Sequence, residues 1–122
     1  DGVRPLIAKE IIEKSFEVAA IEGNAIVSVP LKDSIREVSG NKNMARNRAD
    51  FSLIQTPQTF QSSLIKTAFE QNESPSFTDD ASVAEHAGQK INLIEGSYSN
   101  IKITTEEDLI IANALINSKM YQ

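Results

Sequence analysis

A mostly apolar run, residues 25–29, directly follows an amphipathic segment in this chain. The segment, residues 8–21, carries apolar residues near helical spacing with charged residues between them, which predicts a helix. Its apolar positions are Ile11, Ile12, Phe16 and Ala19. Gly23 ends the helix and Pro30 closes the apolar run. Such a run is typical of a strand buried in a parallel sheet, so the chain is expected to layer helix on sheet.

Further strands and helices are predicted to alternate along the chain. Strands are expected at residues 51–55 and 90–94, and helices at residues 62–71 and 78–88. Thr56 and Pro57 are interpreted as a helix N-terminus, with Pro at the first helical position. Thr104 and Glu107 are interpreted as a capping box before the last helix. This alternation predicts an open α/β sheet, and a length of 122 residues predicts one domain, residues 1–122.

Residues 31–50 differ from the rest of the chain. Two β-prone pieces flank a turn rich in Gly and Asn, and few large apolar residues occur among them. Between Lys32 and Arg48 there are five basic residues and two acidic ones. We expect a hairpin that owns no core and projects as a basic arm. Its charge is consistent with a small anion, with an acidic partner surface, or with simple solvation.

Composition excludes several classes of function. The chain has no Cys and one His, which removes disulfides, thiolate nucleophiles and His-based zinc sites. The formal net charge of −5 argues against a nucleic-acid-binding protein. No apolar run approaches the roughly 18 residues that a membrane span needs, so no membrane partner is expected. We expect a cytoplasmic protein.

Three basic residues at predicted element boundaries are candidates for binding an anion. They are Arg4, Arg48 and Lys102. In an extended stretch at residues 100–103, Lys102 would face the opposite side from Ile101 and Ile103, just before a helix N-terminus. An Arg with a Lys would suit a phosphorylated small molecule if they converge. The alternative is ordinary ion pairing with neighbouring carboxylates. The five glycines form no phosphate-binding loop.

Five motifs occur in order along the chain: DGVRP from Asp1, VPLKDS from Val29, QTPQTF from Gln55, TDDAS from Thr78, and NIKIT from Asn100 followed by EDL. Together they resemble the C-terminal half of 2-C-methyl-D-erythritol 4-phosphate cytidylyltransferases. The resemblance covers essentially the whole chain. It implies a partial, doubly wound (Rossmann-like) α/β nucleotidyltransferase sheet, in which residues 31–50 form a dimerisation β-arm of a homodimer.

The resemblance also implies an activity and its residues. The reaction is transfer of a cytidylyl group from CTP to methylerythritol phosphate in non-mevalonate isoprenoid biosynthesis, with Mg²⁺ as cofactor and pyrophosphate as product. Arg48 and Lys102 are the implied catalytic residues. Asp1, Arg4, Ser34 and Thr56 are the implied substrate-binding residues, and Asp1 also faces the metal. Position 34 is usually Thr, so Ser34 keeps the hydroxyl and loses the methyl group.

Two alternatives stay open at the level of sequence. A ribitol 5-phosphate cytidylyltransferase has a similar framework, and a non-catalytic dimerisation module would retain the arm without the nucleotide half. The N-terminal half of the family, which carries the Gly-rich CTP loop, is not in this sequence. We therefore expect the chain alone to be inactive.

Overall fold

The computed structural model describes the backbone of residues 1–120 and the side chains of residues 1–118. Its helices are α1 (Lys9–Glu22), α2 (Ser62–Ala68), α3 (Asp80–His86) and α4 (Glu106–Met120). Its strands are β1 (Asn24–Pro30), β2 (Ile35–Ser39), β3 (Lys42–Arg46), β4 (Ser52–Phe60) and β5 (Leu93–Glu95). The predicted α/β class is confirmed.

Strand β1 is the centre of a three-stranded sheet with the order β4-β1-β5. It runs parallel to β5 and antiparallel to β4, so the predicted parallel pairing is correct for one neighbour and wrong for the other. Ala25 and Val27 pack with Ile94 of β5 and Ala19 of α1 on one face of the sheet. On the other face, Ile26 lines a cleft together with α3. Burial on both faces explains why the run is apolar throughout.

Helix α1 contacts the sheet through a different stripe from the one predicted. Ser15 and Ala19 are buried, and Ile11 and Val18 pack against the core. In chain order, these four positions are separated by four, three and one residues. Phe16 lies off this stripe and is 64% exposed, so its predicted placement on the buried side is wrong. Apolar spacing missed the stripe because one buried member is a serine. The Ser15 hydroxyl donates to the Ile12 carbonyl and accepts from another side chain, which satisfies it.

Strand β4 continues through Thr56 and Pro57, which were predicted to begin a helix. At this point one residue of β1, Val27, faces three residues of β4, residues 55–57. Pro57 has no N–H to give to a ladder, and a bulge is where a strand tolerates that loss. Helix α2 begins instead at Ser62.

Helix α4 begins one residue later than predicted. The capping box is formed by Thr105 and Asp108, not by Thr104 and Glu107: the Thr105 hydroxyl accepts from the Asp108 N–H, and the Asp108 carboxylate accepts from the Thr105 N–H. The same carboxylate also accepts from the backbone and hydroxyl of Thr104. The Asp108 carboxylate therefore caps this terminus by accepting hydrogen bonds from three donors, in place of the predicted Glu107. Residues 101–104 before it belong to no helix or strand.

The Asp108 cap makes the stability of the chain depend on pH. Hydrogen bonds from Thr104 and Thr105 to the charged form hold the pKa of Asp108 below its ordinary value. A lowered pKa stabilises the fold at pH values above about 4, and this stabilisation is lost as the pH falls through the pKa of the folded state. In thermal melts, Asp108→Asn should lower the Tm at pH 7, and its difference from the parent should shrink at pH 3. A difference of the same size at both pH values would contradict the assignment.

Strands β2 and β3 form a separate two-stranded sheet, as predicted for residues 31–50. The two strands are joined at Gly40 and Asn41, where Gly40 has φ 59°, a left-handed conformation that suits glycine. All residues from 36 to 50 are exposed. Arg46 pairs with Glu37 across the strands. The hairpin therefore projects as an arm without a core of its own.

Within residues 1–120, no helix is both long and apolar enough to cross a membrane.

Candidate functional site

The N-terminal residues lie against the bulge of β4. The Asp1 carboxylate accepts hydrogen bonds from the Thr56 hydroxyl (2.6 Å) and from the backbone N–H of Val3 (3.1 Å). The Asp1 carbonyl accepts from the Arg4 N–H at 3.2 Å, which closes a tight turn. Two of the residues predicted to bind substrate, Asp1 and Thr56, are therefore in direct contact although they are far apart in the sequence.

Asn100 joins this turn to the sheet. It is 1% exposed, and its side-chain amide donates to the Thr56 carbonyl (2.8 Å) and to Gln55 Oε1 (3.1 Å). Its backbone carbonyl accepts from the Arg4 guanidinium at 2.7 Å. Partial burial lowers the pKa of Arg4 from its ordinary value, but an arginine keeps its charge in proteins. Asn100 thus positions both Arg4 and Thr56.

Lys102 follows Asn100 closely and is exposed. The next residue, Ile103, donates its backbone N–H to the Val3 carbonyl at 2.7 Å. Ile101 and Ile103 are half-buried while Lys102 is not, which is the alternation predicted for an extended stretch. The backbone that carries Lys102 therefore runs beside the turn that holds Asp1 and Arg4.

Arg48 and Ser34 lie at the base of the arm. The Arg48 guanidinium donates to the backbone carbonyl of Lys32, where the chain enters the hairpin. Ser34 is exposed just before β2. Among the side chains of residues 1–118, ion pairs join Lys9 to Glu13 and Arg46 to Glu37, and none involves Arg4, Arg48 or Lys102. Ordinary ion pairing, the alternative interpretation of these three residues, finds no support there.

A cleft of about 390 Å³ opens beside Asp1 and Thr56. Asp79 and Asp80, at the start of α3, line its other side with Gln58. Asp79 caps the N-terminus of α3, since its carboxylate accepts from the Ser82 N–H at 2.8 Å. Gln58 reaches across and donates to the same Asp79 carboxylate at 3.0 Å. Carboxylates therefore stand on both walls of the cleft.

The Asp1 carboxylate suits a magnesium ion that takes its other ligands from water or phosphate. Mg²⁺ is usually bound through one or two carboxylates, with phosphates and waters completing its shell. A carboxylate offers about four lone-pair sites, and Asp1 uses one oxygen for Thr56 and the other for Val3. Within the described residues, no three His, Cys, Asp or Glu side chains cluster as a self-sufficient metal site.

Three residues of the site were not singled out from sequence: Asn100, Gln55 and Gln58. Gln55 is 7% exposed, and its side-chain amide donates to the Ser97 carbonyl at 2.9 Å. Gly96 packs so closely against Gln55 that a Cβ atom would lie 2.6 Å from its Oε1. The sequence offered one signal for Gln55, a polar residue directly after the mostly apolar residues 51–54. Its hydrogen-bond partners, however, lie in a segment distant along the chain.

The sheet, its arm and the cluster of polar residues at the bulge of β4 define a partial nucleotidyltransferase-like α/β fold. Structures of known proteins agree with this class. Residues 1–118 match the family model of 2-C-methyl-D-erythritol 4-phosphate cytidylyltransferase, and the chain belongs to this family.

Proteins named 2-C-methyl-D-erythritol 4-phosphate cytidylyltransferase from Bacteroides fragilis and Alkaliphilus metalliredigens are each 43% identical to this chain. The matches cover 95% and 98% of this chain, but 53% and 51% of those proteins. The chain thus spans about half the length of these relatives.

Two solved structures share the fold. A 4-diphosphocytidyl-2C-methyl-D-erythritol synthase from Anaerococcus prevotii has a TM-score of 0.85 at 33% identity, with 96% of this chain and 56% of that chain covered. A 2-C-methyl-D-erythritol 4-phosphate cytidylyltransferase from Thermus thermophilus has a TM-score of 0.81 at 29% identity, with 93% and 57% covered. The predicted fold class is confirmed.

Proposed function

We propose that this chain supplies the acceptor-substrate and dimerisation parts of an enzyme that transfers a cytidylyl group from CTP to 2-C-methyl-D-erythritol 4-phosphate. The observation that carries the proposal is the meeting of three distant motifs at the bulge of β4. Asp1, Thr56 and Asn100, each from a different motif, are joined by direct hydrogen bonds. Family membership supports the choice of reaction.

In the proposed reaction, a phosphate oxygen of the acceptor attacks the α-phosphorus of CTP. The bond between the α-phosphorus and the bridging oxygen breaks, and pyrophosphate leaves with that oxygen. The attacking phosphate is already deprotonated at neutral pH, so alignment and charge neutralisation matter more than a covalent nucleophile. This requirement suits a chain with no cysteine and one histidine.

Each proposed residue has a role that its position supports. Lys102, exposed beside the N-terminal turn, neutralises the acceptor phosphate as a point charge. Arg4 borders the substrate, and Asn100 holds its guanidinium. Asp1 would hold Mg²⁺, which supplies charge neutralisation at the phosphates when it is bound. The Thr56 hydroxyl fixes the Asp1 carboxylate in place.

The arm is proposed to mediate a homodimer. Residues 36–50 are all exposed and carry most of the basic charge of residues 31–50, so they can meet an anion beyond the body of their own subunit. Arg48 would then bind the acceptor phosphate across the dimer interface. Ser34, at the entry to the arm, offers a hydroxyl to the same ligand.

Pyrophosphate release tests the proposal. The complete protein, incubated with CTP, Mg²⁺ and methylerythritol phosphate, should release pyrophosphate, whereas the 122-residue chain alone should not. A panel that includes ribitol 5-phosphate decides the acceptor, because a preference for ribitol phosphate would replace the methylerythritol assignment. Absence of turnover with every acceptor would leave the dimerisation module as the better description.

A further inference from the structure

We propose that Tyr98 is a positioning residue that holds the base of the arm and thereby sets the position of Arg48. The inference rests on the proposed function for its catalytic consequence, but the structural part stands on contacts within the chain. Tyr98 lies in the loop after β5, four residues before Lys102.

Tyr98 makes two contacts with the residues that lead into the arm. Its hydroxyl donates to the Pro30 carbonyl at 2.7 Å. The Lys32 ammonium lies over its ring, 4.1 Å from the ring centroid, which is a favourable position for a cation. One side chain therefore holds the backbone at the end of β1 and the side chain two residues later.

Arg48 depends on the same short segment. Its guanidinium donates to the backbone carbonyl of Lys32, so it joins the point where the chain leaves the hairpin to the point where it enters. Tyr98 thus holds the segment from Pro30 to Lys32, and the Lys32 carbonyl in that segment fixes Arg48. Movement of this segment would move the arginine with it.

The loop that carries Tyr98 is itself anchored to the sheet. Gly96 donates its N–H to the Ser28 carbonyl at 2.8 Å, and the Ser97 carbonyl accepts from the Gln55 amide at 2.9 Å. Asn100 is tied to the same glutamine. Tyr98 therefore projects from a fixed loop onto an arm that has no core to hold it.

Within one chain, these contacts connect the loop that leads to Lys102 with the arm base that holds Arg48. Lys102 extends from the end of the anchored loop, and Arg48 is fixed through the arm entry that Tyr98 holds. A rigid arm base keeps Arg48 at one position. This matters for binding a phosphate, because a small displacement of a binding group weakens substrate alignment. Tyr98 touches no substrate in this scheme and acts through Arg48.

A distance measurement tests the structural part without any substrate. The chain contains no cysteine, so Glu17→Cys on α1 and Lys42→Cys on the arm give one spin-labelled pair. Dilution with unlabelled chain restricts the signal to distances within one subunit. Tyr98→Leu should broaden the distance distribution, whereas Phe69→Leu, which removes another exposed aromatic ring, should leave it unchanged. An unchanged distribution in Tyr98→Leu would overturn the inference.

Kinetics of the complete protein test the consequence. Tyr98→Phe keeps the ring over Lys32 and removes one hydrogen bond, so KM for the acceptor should rise about fivefold with little change in kcat or in KM for CTP. In an Arg48→Ala background the same substitution should cost nothing further, because Tyr98 acts through Arg48. A Tyr98→Phe penalty that persists in that background would overturn the positioning role.

The two experiments separate this inference from the proposed function. If the complete protein transfers no cytidylyl group, the proposed function fails, and the distance distributions alone decide whether Tyr98 holds the arm. If transfer occurs and the distributions do not respond to Tyr98→Leu, the function stands and the positioning role falls.

Discussion

Replacing Lys102 by alanine in the complete protein is expected to lower kcat/KM for the acceptor by about a hundredfold to a thousandfold. The charge proposed to neutralise the acceptor phosphate is lost, and no other lysine belongs to the segment tied to Asp1 and Arg4. Because Lys102 is exposed and supports no core, the melting temperature should stay within about 1 °C of the parent. Steady-state kinetics with methylerythritol phosphate, together with a thermal melt, provide both measurements.

Two further variants make the Lys102 result specific. Lys66→Ala removes an exposed lysine of α2, away from the site, and should leave kcat/KM unchanged. Lys102→Arg keeps the charge and should recover part of the loss. If Lys102→Ala retained full kcat/KM, Lys102 would be only a solvated charge.

Replacing Asn100 by alanine is expected to lower the free energy of unfolding by about 2–4 kcal/mol. The substitution removes two hydrogen bonds from a buried side chain and leaves the Thr56 carbonyl and Gln55 Oε1 without these donors. Truncation also leaves a small cavity. Urea unfolding followed by circular dichroism measures the loss.

Controls for Asn100 separate hydrogen bonding from volume. Asn100→Asp preserves the shape but replaces the donating amide by a carboxylate that faces two acceptor oxygens, so it should be at least as damaging as Asn100→Ala at pH 7. Asn72→Ala, in an exposed loop, should change stability by less than about 0.5 kcal/mol. A loss of that small size for Asn100→Ala would mean that Asn100 does not join the N-terminal turn to the sheet.

The elements that sequence predicted correctly are those defined by local patterns. Helix α1, strand β1 and the hairpin of β2 and β3 each follow from apolar spacing and turn residues within a few positions. The misplaced helix start at Thr56 and Pro57 arose where long-range pairing decides. Nothing near Thr56 and Pro57 in the sequence reveals that β1 lies alongside them, so a helix start was the natural local interpretation.

The residues of the candidate site also divide into those named from the sequence and those that were missed. The positions of basic residues at element boundaries singled out Arg4, Arg48 and Lys102. The motif resemblance added Asp1, Ser34 and Thr56, and the structure brings Asp1 and Thr56 into contact. Asn100, Gln55 and Gln58 were missed as site residues, because buried amides carry no periodic signal and are defined only by partners distant in the sequence. Tyr98 was also missed, because its partners Pro30 and Lys32 are distant in the sequence.

The pairing of Pro30 with Ser52 has an evolutionary consequence. The arm leaves the sheet after one of these residues and returns just before the other, and residues paired across antiparallel strands lie only about 5 Å apart. Residues 31–51 therefore leave and rejoin the sheet at a place that a tight turn could close. Residues can be added to or deleted from the middle of such a segment without displacing β1 or β4, so the arm can change length while the three-stranded sheet stays constant.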